Sequence, residues 1–524
     1  MIADLIIHHA HFPEVHFPEG SDSLAISAGR ITAIGRYEEL KNAIGNHTQV
    51  IDARGKTLMP GFNDTHIHLW KVGHLKTFML DLRGSESLDD MLSRLEQYAK
   101  ANPDARWITA RGYNEAGWTS GKSPSRKGLD SVVPDRPVYV IRTCAHIAVA
   151  NTRALELAGV NANSPVPAGG TMHLGEDGRP NGMFAETALG MITKHIPAPT
   201  KEELKQMVRA ARAELYRYGI TAATDPAVDP LLLEAYHEMN AAGELGFRLN
   251  AMPMLLPDGG AEPFPIPDAF HSDFFNVNTV KFFSDGGLSG KTSALKGHYK
   301  DSSEQGILRL DRNLYTSLSC AAMTKGLGVA THAIGDAAIE FVLDIYKGLC
   351  KDFPTAIKRI EHLGLPDPKH LDEMAAHGIA ASMQTIFLSE LGKNFIKYLD
   401  KGYLDRCYPV RSVMQAGILT ALSSDAPVVK DINPLKGIEA AVTRRTNEGA
   451  IIAETESINI ASALRAYTSN AALISGTPSF GKLAPGQHAD LILLDHDPLA
   501  VPPDQLAQVQ VEKTFVAGKC VWGS

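Results

Sequence analysis

A chain of 524 residues with 44% hydrophobic content exceeds one ordinary core, and it predicts a globular protein built from one large domain and a smaller one. The net charge is −8 without a long run of either sign, so the basic stripe that a phosphate backbone requires is missing and nucleic acid is not an expected partner. Five cysteines, Cys144, Cys320, Cys350, Cys407 and Cys520, are odd in number and irregular in spacing, which suits the reduced thiols of a cytoplasmic enzyme rather than a disulfide framework.

At the N-terminus, MIADLIIHHAHF lacks the basic start and long apolar stretch of a signal peptide. No segment reaches the roughly 18 to 20 apolar residues of a membrane span, so no membrane attachment is expected. Residues 1 to about 58 read as short strands, ADLIIHHAHF, SLAISAGRITAIGRY and TQVIDARGKTL, separated by Gly, Asp and Asn turns. His9 and His11 sit two apart in the first of them, but no partner ligands follow at strand intervals, so they read as surface strand histidines. The next strand, LMPGFNDTHIH, ends on His66 and His68. Side chains two apart on a strand share a face, so one strand end can aim both imidazoles at one ion.

About 150 residues separate that strand from the next, far more than one crossover needs. Within them, SLDDMLSRLEQYAKANP opens with a Ser-x-x-Asp cap and continues with helical periodicity, and reads either as the ordinary first helix or as part of an insertion. The stretch from RWITARGYNEAGW to GRPNGMFAETA reads as an inserted lobe that contains or adjoins Trp70, Trp107 and Trp118. His146, in RTCAHIAVANTRAL, reads equally well as a substrate-facing residue of the lobe and as a structural histidine.

Strand and helix patterns then alternate, which argues a parallel α/β sheet. The strands are GITAATDPA, FRLNAMPML, TVKFFSDGG, GVATHAIG, KRIEHLG, GIAASMQT and ILTALSSDAP, with helical patterns such as KEELKQMVRAARAELYRYG and DAAIEFVLDIYKGLC between them. With the first strand they make eight, enough to close a barrel. Lys281, His332, His362 and Asp425 lie toward the C-terminal ends of their strands, as do His66 and His68. Ligands spread in this way suit a barrel that gathers them at one mouth. The closing segments GKLAPGQHADLILLDHDP and VEKTFVAGKCVWG resemble the N-terminal strands in character, so the two chain ends are expected to fold together as one small β domain.

PGFNDTHIHL after a β-rich start, the later Lys, His, His and Asp, and the closing GKLAPGQHADLILLD resemble the metal-dependent amidohydrolase superfamily. TVKFFSDGGLSGKTSAL, THAIGDAAI, RIEHL and SSDAPV are similar to its family 3, or YtcJ-like, branch, which includes N-substituted formamide deformylases. The resemblance implies a (β/α)8 TIM barrel over 59–476, a composite β-sandwich from 1–58 and 477–524, and a lobe at about 71–200 inserted after the first barrel strand. It also implies two zinc ions per chain. His66, His68 and Asp425 would hold one ion, His332 and His362 the other, and a carboxylated Lys281 would bridge them. Lys291 and Tyr113 depart from the branch, which has an arginine and a tryptophan at the corresponding places.

Imidazole and carboxylate ligands suit zinc, and a bound zinc makes hydroxide available near neutral pH. Asp425 is the expected catalytic residue, taking the proton from water and delivering it to the leaving nitrogen. Lys281 is flanked by Val280, Phe282 and Phe283, so its ammonium is costly there and a neutral amine is free to take up carbon dioxide. An unmodified Lys281 beside a single metal is the competing reading. Trp70, Tyr113, Trp118 and Lys291 are the candidate substrate contacts. The aromatics suit a small, neutral, linear amide such as an N-substituted formamide or related N-acyl amine. Arg111 and Lys291 suit an N-acyl amino acid instead. A mononuclear cyclic amidohydrolase or deaminase and a silent scaffold are the remaining alternatives, and a homodimer is compatible with all of them.

Overall fold

The structure, a computed structural model, describes residues 2–13, 19–115, 118, 122–143, 147–167, 170–257 and 262–523; His146 lies outside them. The fold is mixed α/β. Eight strands carry the ligand-bearing region: β1 (Phe62–Asp64), β2 (Ile220–Val228), β3 (Arg248–Pro253), β4 (Thr279–Phe283), β5 (Gly328–Ala333), β6 (Lys358–His362), β7 (Ala380–Met383) and β8 (Thr420–Leu422). They are short apolar runs buried almost throughout, as parallel strands covered on both faces must be.

Pairing is parallel and follows chain order in two arcs, β1–β2–β3 and β4–β5–β6–β7–β8. A parallel bridge between Met254 and Lys281 links the end of β3 to β4. After β8, the Asp425 amide donates to the His66 carbonyl at 2.7 Å, and the His68 amide donates to the Ala426 carbonyl at 2.9 Å. The last strand end is therefore fastened to the first. Helices such as Asp336–Asp352, which buries Ile339, Val342, Leu343 and Tyr346 along one stripe, fill the connections.

Both chain ends supply a pair of four-stranded sheets. One runs in the order Arg30–Gly35, Ser23–Ser27, Leu5–His8, Gln49–Asp52; the other Lys519–Trp522, Val511–Val516, Leu491–Leu494, Thr57–Pro60. Leu5, Ile7, Leu24, Leu58, Leu491, Leu493 and Phe515 share one core, each contributing about 1.5 to 3 kcal/mol by leaving water. A buried ion pair between Arg248 of β3 and Asp490 fastens the C-terminal strands to the parallel sheet. Removing one partner of such a pair costs about 3 to 5 kcal/mol, because the other charge is left buried alone.

The chain divides into two compact units, Met1–Leu69 with Arg212–Ser524, and Trp70–Ala211. The second unit has its own six-stranded sheet, from Met79–Asp81 at one edge to Thr171–Leu174 at the other. Its helix Leu88–Ala101 starts where Ser87 Oγ accepts the Asp90 amide at 3.0 Å, and buries Met91, Leu95 and Ala99 at four-residue spacing. The predicted cap is thus a lobe feature. Tyr113 and Trp118, expected as substrate contacts, are buried instead in this unit's core with Leu82, Met91 and Leu95, and Trp118 Nε1 donates to the Ser85 carbonyl at 2.8 Å. A small unit needs large apolar side chains for its own core, and that need places both rings. Among the described residues, no helix is long and apolar enough to cross a membrane.

Candidate metal centre

Six side chains predicted as ligands come from the C-terminal parts of β1, β4, β5, β6 and β8 or the turns after them. His66 and His68 lie beyond the end of β1 rather than on it. Strand alternation therefore does not aim them. The bend does, held by the His66 amide on Asp64 Oδ1 (3.1 Å), the Ile67 amide on the Thr224 carbonyl (2.9 Å) and the two bonds to the segment after β8. Their ring centroids are 5.8 Å apart. Asp425 likewise follows β8, at a φ of 56°, and His362 ends β6 at a φ of 74°. Left-handed backbone at a non-glycine residue is uncommon and costs energy, and such positions concentrate where a side chain must be aimed.

His66, His362 and Asp425 are buried and present ligand atoms that all lie within 4.8 Å of one another. Asp425 Oδ1 is 3.2 Å from His68 Nε2 and 3.5 Å from His66 Nε2. The His362 ring lies 4.7 Å from that of His66 and 4.4 Å from that of His332. His66 Nδ1 is held by Glu361, and His362 Nδ1 is bonded to Gln384 Oε1 at 2.6 Å. Each partner occupies the Nδ1 side and leaves Nε2 for an ion, the usual support of a metal-binding imidazole. His332 differs: its Nε2 sits 3.2 Å from the Gly286 carbonyl and 3.3 Å from Asp285 Oδ1. Lys281 is fully buried, with Nζ 4.9 Å from the Phe283 ring centroid and no hydrogen-bond partner.

Burial, and then the Lys281 charge, holds the His66 imidazole well below its usual range, and burial with His332 does the same to His362. The shift favours the neutral imidazole at both, the form that a metal ligand requires. Burial pulls Lys281 down to about 8 even though Glu361 and Asp425 oppose it. Burial pushes the Asp425 carboxyl up, but His68, His66 and Lys281 together outweigh it and hold the group low. Glu361 is also held low, with Arg359 as the main opposing charge to its burial. Asp64, accepting from the Ser424 amide at 3.2 Å, is pushed up to about 7, chiefly by burial.

Glu361, Gln384, Arg359 and Asp285 were not singled out from sequence. Glu361 stands inside the RIEHL motif and Gln384 directly follows β7, the position that carries ligands on other strands, so a strand-end reading of polar residues would have found both. Asp285 accepts from the Ile334, Gly335 and Ala294 amides, fixing the loop after β5. Of the remaining candidates, Lys291 pairs with Glu304 and lies 5.7 Å from the Tyr398 ring centroid. Trp70 is half-buried and stacks on His74 at 6.2 Å. Arg111 lies beside Arg83 and Asp81 in the lobe.

The model of the amidohydrolase family matches residues 49–522. The chain is 30% identical to the protein YtcJ of Bacillus subtilis, over 98% of this chain and 99% of that one. It is 27% identical to the N-substituted formamide deformylase of Arthrobacter pascens, over 95% and 94% of the two chains. A solved structure of an uncharacterized metal-dependent hydrolase from Pyrococcus horikoshii is similar with a TM-score of 0.77 and 26% identity, covering 96% of this chain and 98% of that one.

Proposed function

Because the chain belongs to the amidohydrolase family, we propose that it is a zinc-dependent hydrolase that cleaves the linear amide C–N bond of a small neutral substrate, an N-substituted formamide or related N-acyl amine. One observation carries the metal. Lys281 Nζ and His68 Nδ1 are buried without a hydrogen-bond partner, beside a triad of close ligand atoms. Each unpaired buried polar group costs about 1 to 3 kcal/mol, a cost that a bound cation and its water would relieve. In this reading the eight parallel strands form a (β/α)8 barrel, the terminal sheets form a composite β-sandwich, and the centre stands at the C-terminal mouth where such barrels carry their chemistry.

His66, His68 and Asp425 would hold one ion and His332 and His362 a second, with carboxylated Lys281 between them. When bound, zinc supplies Lewis acidity that polarises the amide carbonyl and makes water nucleophilic near neutral pH. The Asp425 carboxylate takes the proton released by the attacking water and delivers it to the leaving nitrogen. Glu361 and Gln384 hold the His66 and His362 rings in one tautomer. Two rings beside the proposed ligands, Phe283 next to His332 and Phe387 stacked on His362, favour a neutral substrate. The pairing of Lys291 with Glu304 leaves its charge compensated, which argues against an N-acyl amino acid. A mononuclear cyclic amidohydrolase or deaminase is favoured by a single feature: the closest triad, His66, His362 and Asp425, draws on both expected ligand sets and suits one ion.

Prolonged chelation is expected to abolish hydrolysis and zinc to restore it, with activity reaching its full value at two zinc ions added back per chain. Activity that survives verified metal removal would sink the reading, and one ion per chain would favour the runner-up. Among N-benzylformamide, an N-acyl amino acid and a cyclic imide, the formamide is expected to have the highest kcat/KM. Clear preference for the acid or the imide overturns the substrate assignment.

A further inference from the structure

The N-terminal sheet holds a second group of potential metal ligands, formed by His8, His9 and Asp52, whose ligand atoms all lie within 4.8 Å of one another. His8 ends the strand Leu5–His8 and is paired in register with Asp52, the last residue of the parallel strand Gln49–Asp52. On a regular strand His9 would point to the opposite face from His8. Its φ of 51° breaks that alternation, so both rings meet on one side with centroids 4.3 Å apart. The chain thus brings His9 together with its neighbour and not with His11, which pairs with Asp497.

The site is partly made. His9 Nδ1 lies 3.1 Å from Asp52 Oδ1, which also accepts the Arg54 amide at 2.9 Å and is thereby fixed. Two ligands each about 2.0 to 2.1 Å from a tetrahedral zinc ion stand a little over 3 Å apart, close to the separation already present. His8 Nδ1 is buried without a hydrogen-bond partner, and the ring is oriented by stacking on Tyr37 at 4.3 Å. The His9 and Asp52 side chains are about half exposed, so an ion has an open approach and can keep solvent ligands.

We propose that His8, His9 and Asp52 form a binding site for a borderline divalent cation such as zinc, clipping the strand end at His8 to the one at Asp52. Two imidazoles and one carboxylate are the donor set such ions prefer over calcium or magnesium. The site is independent of the hydrolytic centre and of its substrate.

The test is calorimetric titration of zinc into the untagged, full-length enzyme reconstituted with two zinc ions per chain, and into three variants prepared at the same occupancy. His9→Asn tolerates the left-handed backbone while removing the imidazole; Asp52→Asn and His8→Phe remove the other donors. The wild type is expected to take up one further ion per chain. Each variant should bind it at least about tenfold more weakly, a loss of about 1.4 kcal/mol, with circular dichroism and turnover unchanged. Identical isotherms for the wild type and the folded His9→Asn and Asp52→Asn proteins overturn the proposal, as does the absence of any further uptake by the wild type.

Discussion

Asp425→Asn is expected to keep the fold and its melting temperature within a few degrees while losing about 10²- to 10⁴-fold in kcat, the range supplied by a positioned proton-transfer group. Asparagine is nearly the same size and tolerates the φ of 56° at this position, so the turn after β8 need not move. What changes is chemical. The carboxylate, held low by His68, His66 and Lys281 against its burial, is ionised at neutral pH and ready to accept a proton, whereas an amide cannot accept one. It is also a weaker partner for a cation. Kinetics on the zinc-loaded variant, with metal content measured on the same sample, separate loss of proton transfer from loss of metal. Near-normal turnover with metal bound would mean that the proton carrier lies elsewhere.

Lys281→Ala removes a fully buried amine that has no hydrogen-bond partner, and the proposed bridge with it. The expected result is a loss of at least about 10²-fold in kcat/KM, with one of the two zinc ions lost or weakly held. Formate, acetate or propionate should restore part of the activity, because a small carboxylate can enter the space left by the side chain and supply the missing anion. Lys281→Met fills the same space and should not be rescued, which separates a missing anion from a merely damaged core. The wild-type amine gives a second readout. With its ammonium pulled down to about 8 by burial, only about a tenth is neutral at pH 7 and most is neutral at pH 9. The neutral amine is the form that takes up carbon dioxide, so at fixed dissolved CO₂ the chelated enzyme should recover faster with zinc as pH rises through that range. Recovery that is independent of both CO₂ and pH, with no rescue of Lys281→Ala, would leave Lys281 unmodified.

The positions of the eight parallel strands were legible because each is a short apolar run with Gly, Asn or Asp close to at least one end, and burial on both faces leaves its mark within a few residues. The six proposed ligand positions were legible for a related reason: His66, His68 and Asp425 stand just beyond apolar strands, and Lys281, His332 and His362 interrupt or end apolar ones. The β character of both chain ends could be read in the same way, and so could the Ser87 cap, which needs information from only four consecutive residues.

Long-range contact decided the rest. The partner of His66 Nδ1 is Glu361, 295 positions away in sequence, and no local periodicity connects them. That His66 and His68 are aimed by a bend tied to Thr224 and Ala426, and not by strand alternation, likewise depends on neighbours from distant segments. Tyr113 and Trp118 went to the core of the lobe because six strands assembled there need apolar volume. Lys291 found Glu304, and His9 turned toward His8 and Asp52 through one left-handed residue. Apolar residues announce their environment by spacing, since burial is non-directional and scales with area. A polar side chain is placed by one specific partner, so amino-acid order determined which groups this protein has for chemistry, and tertiary structure decided which of them meet.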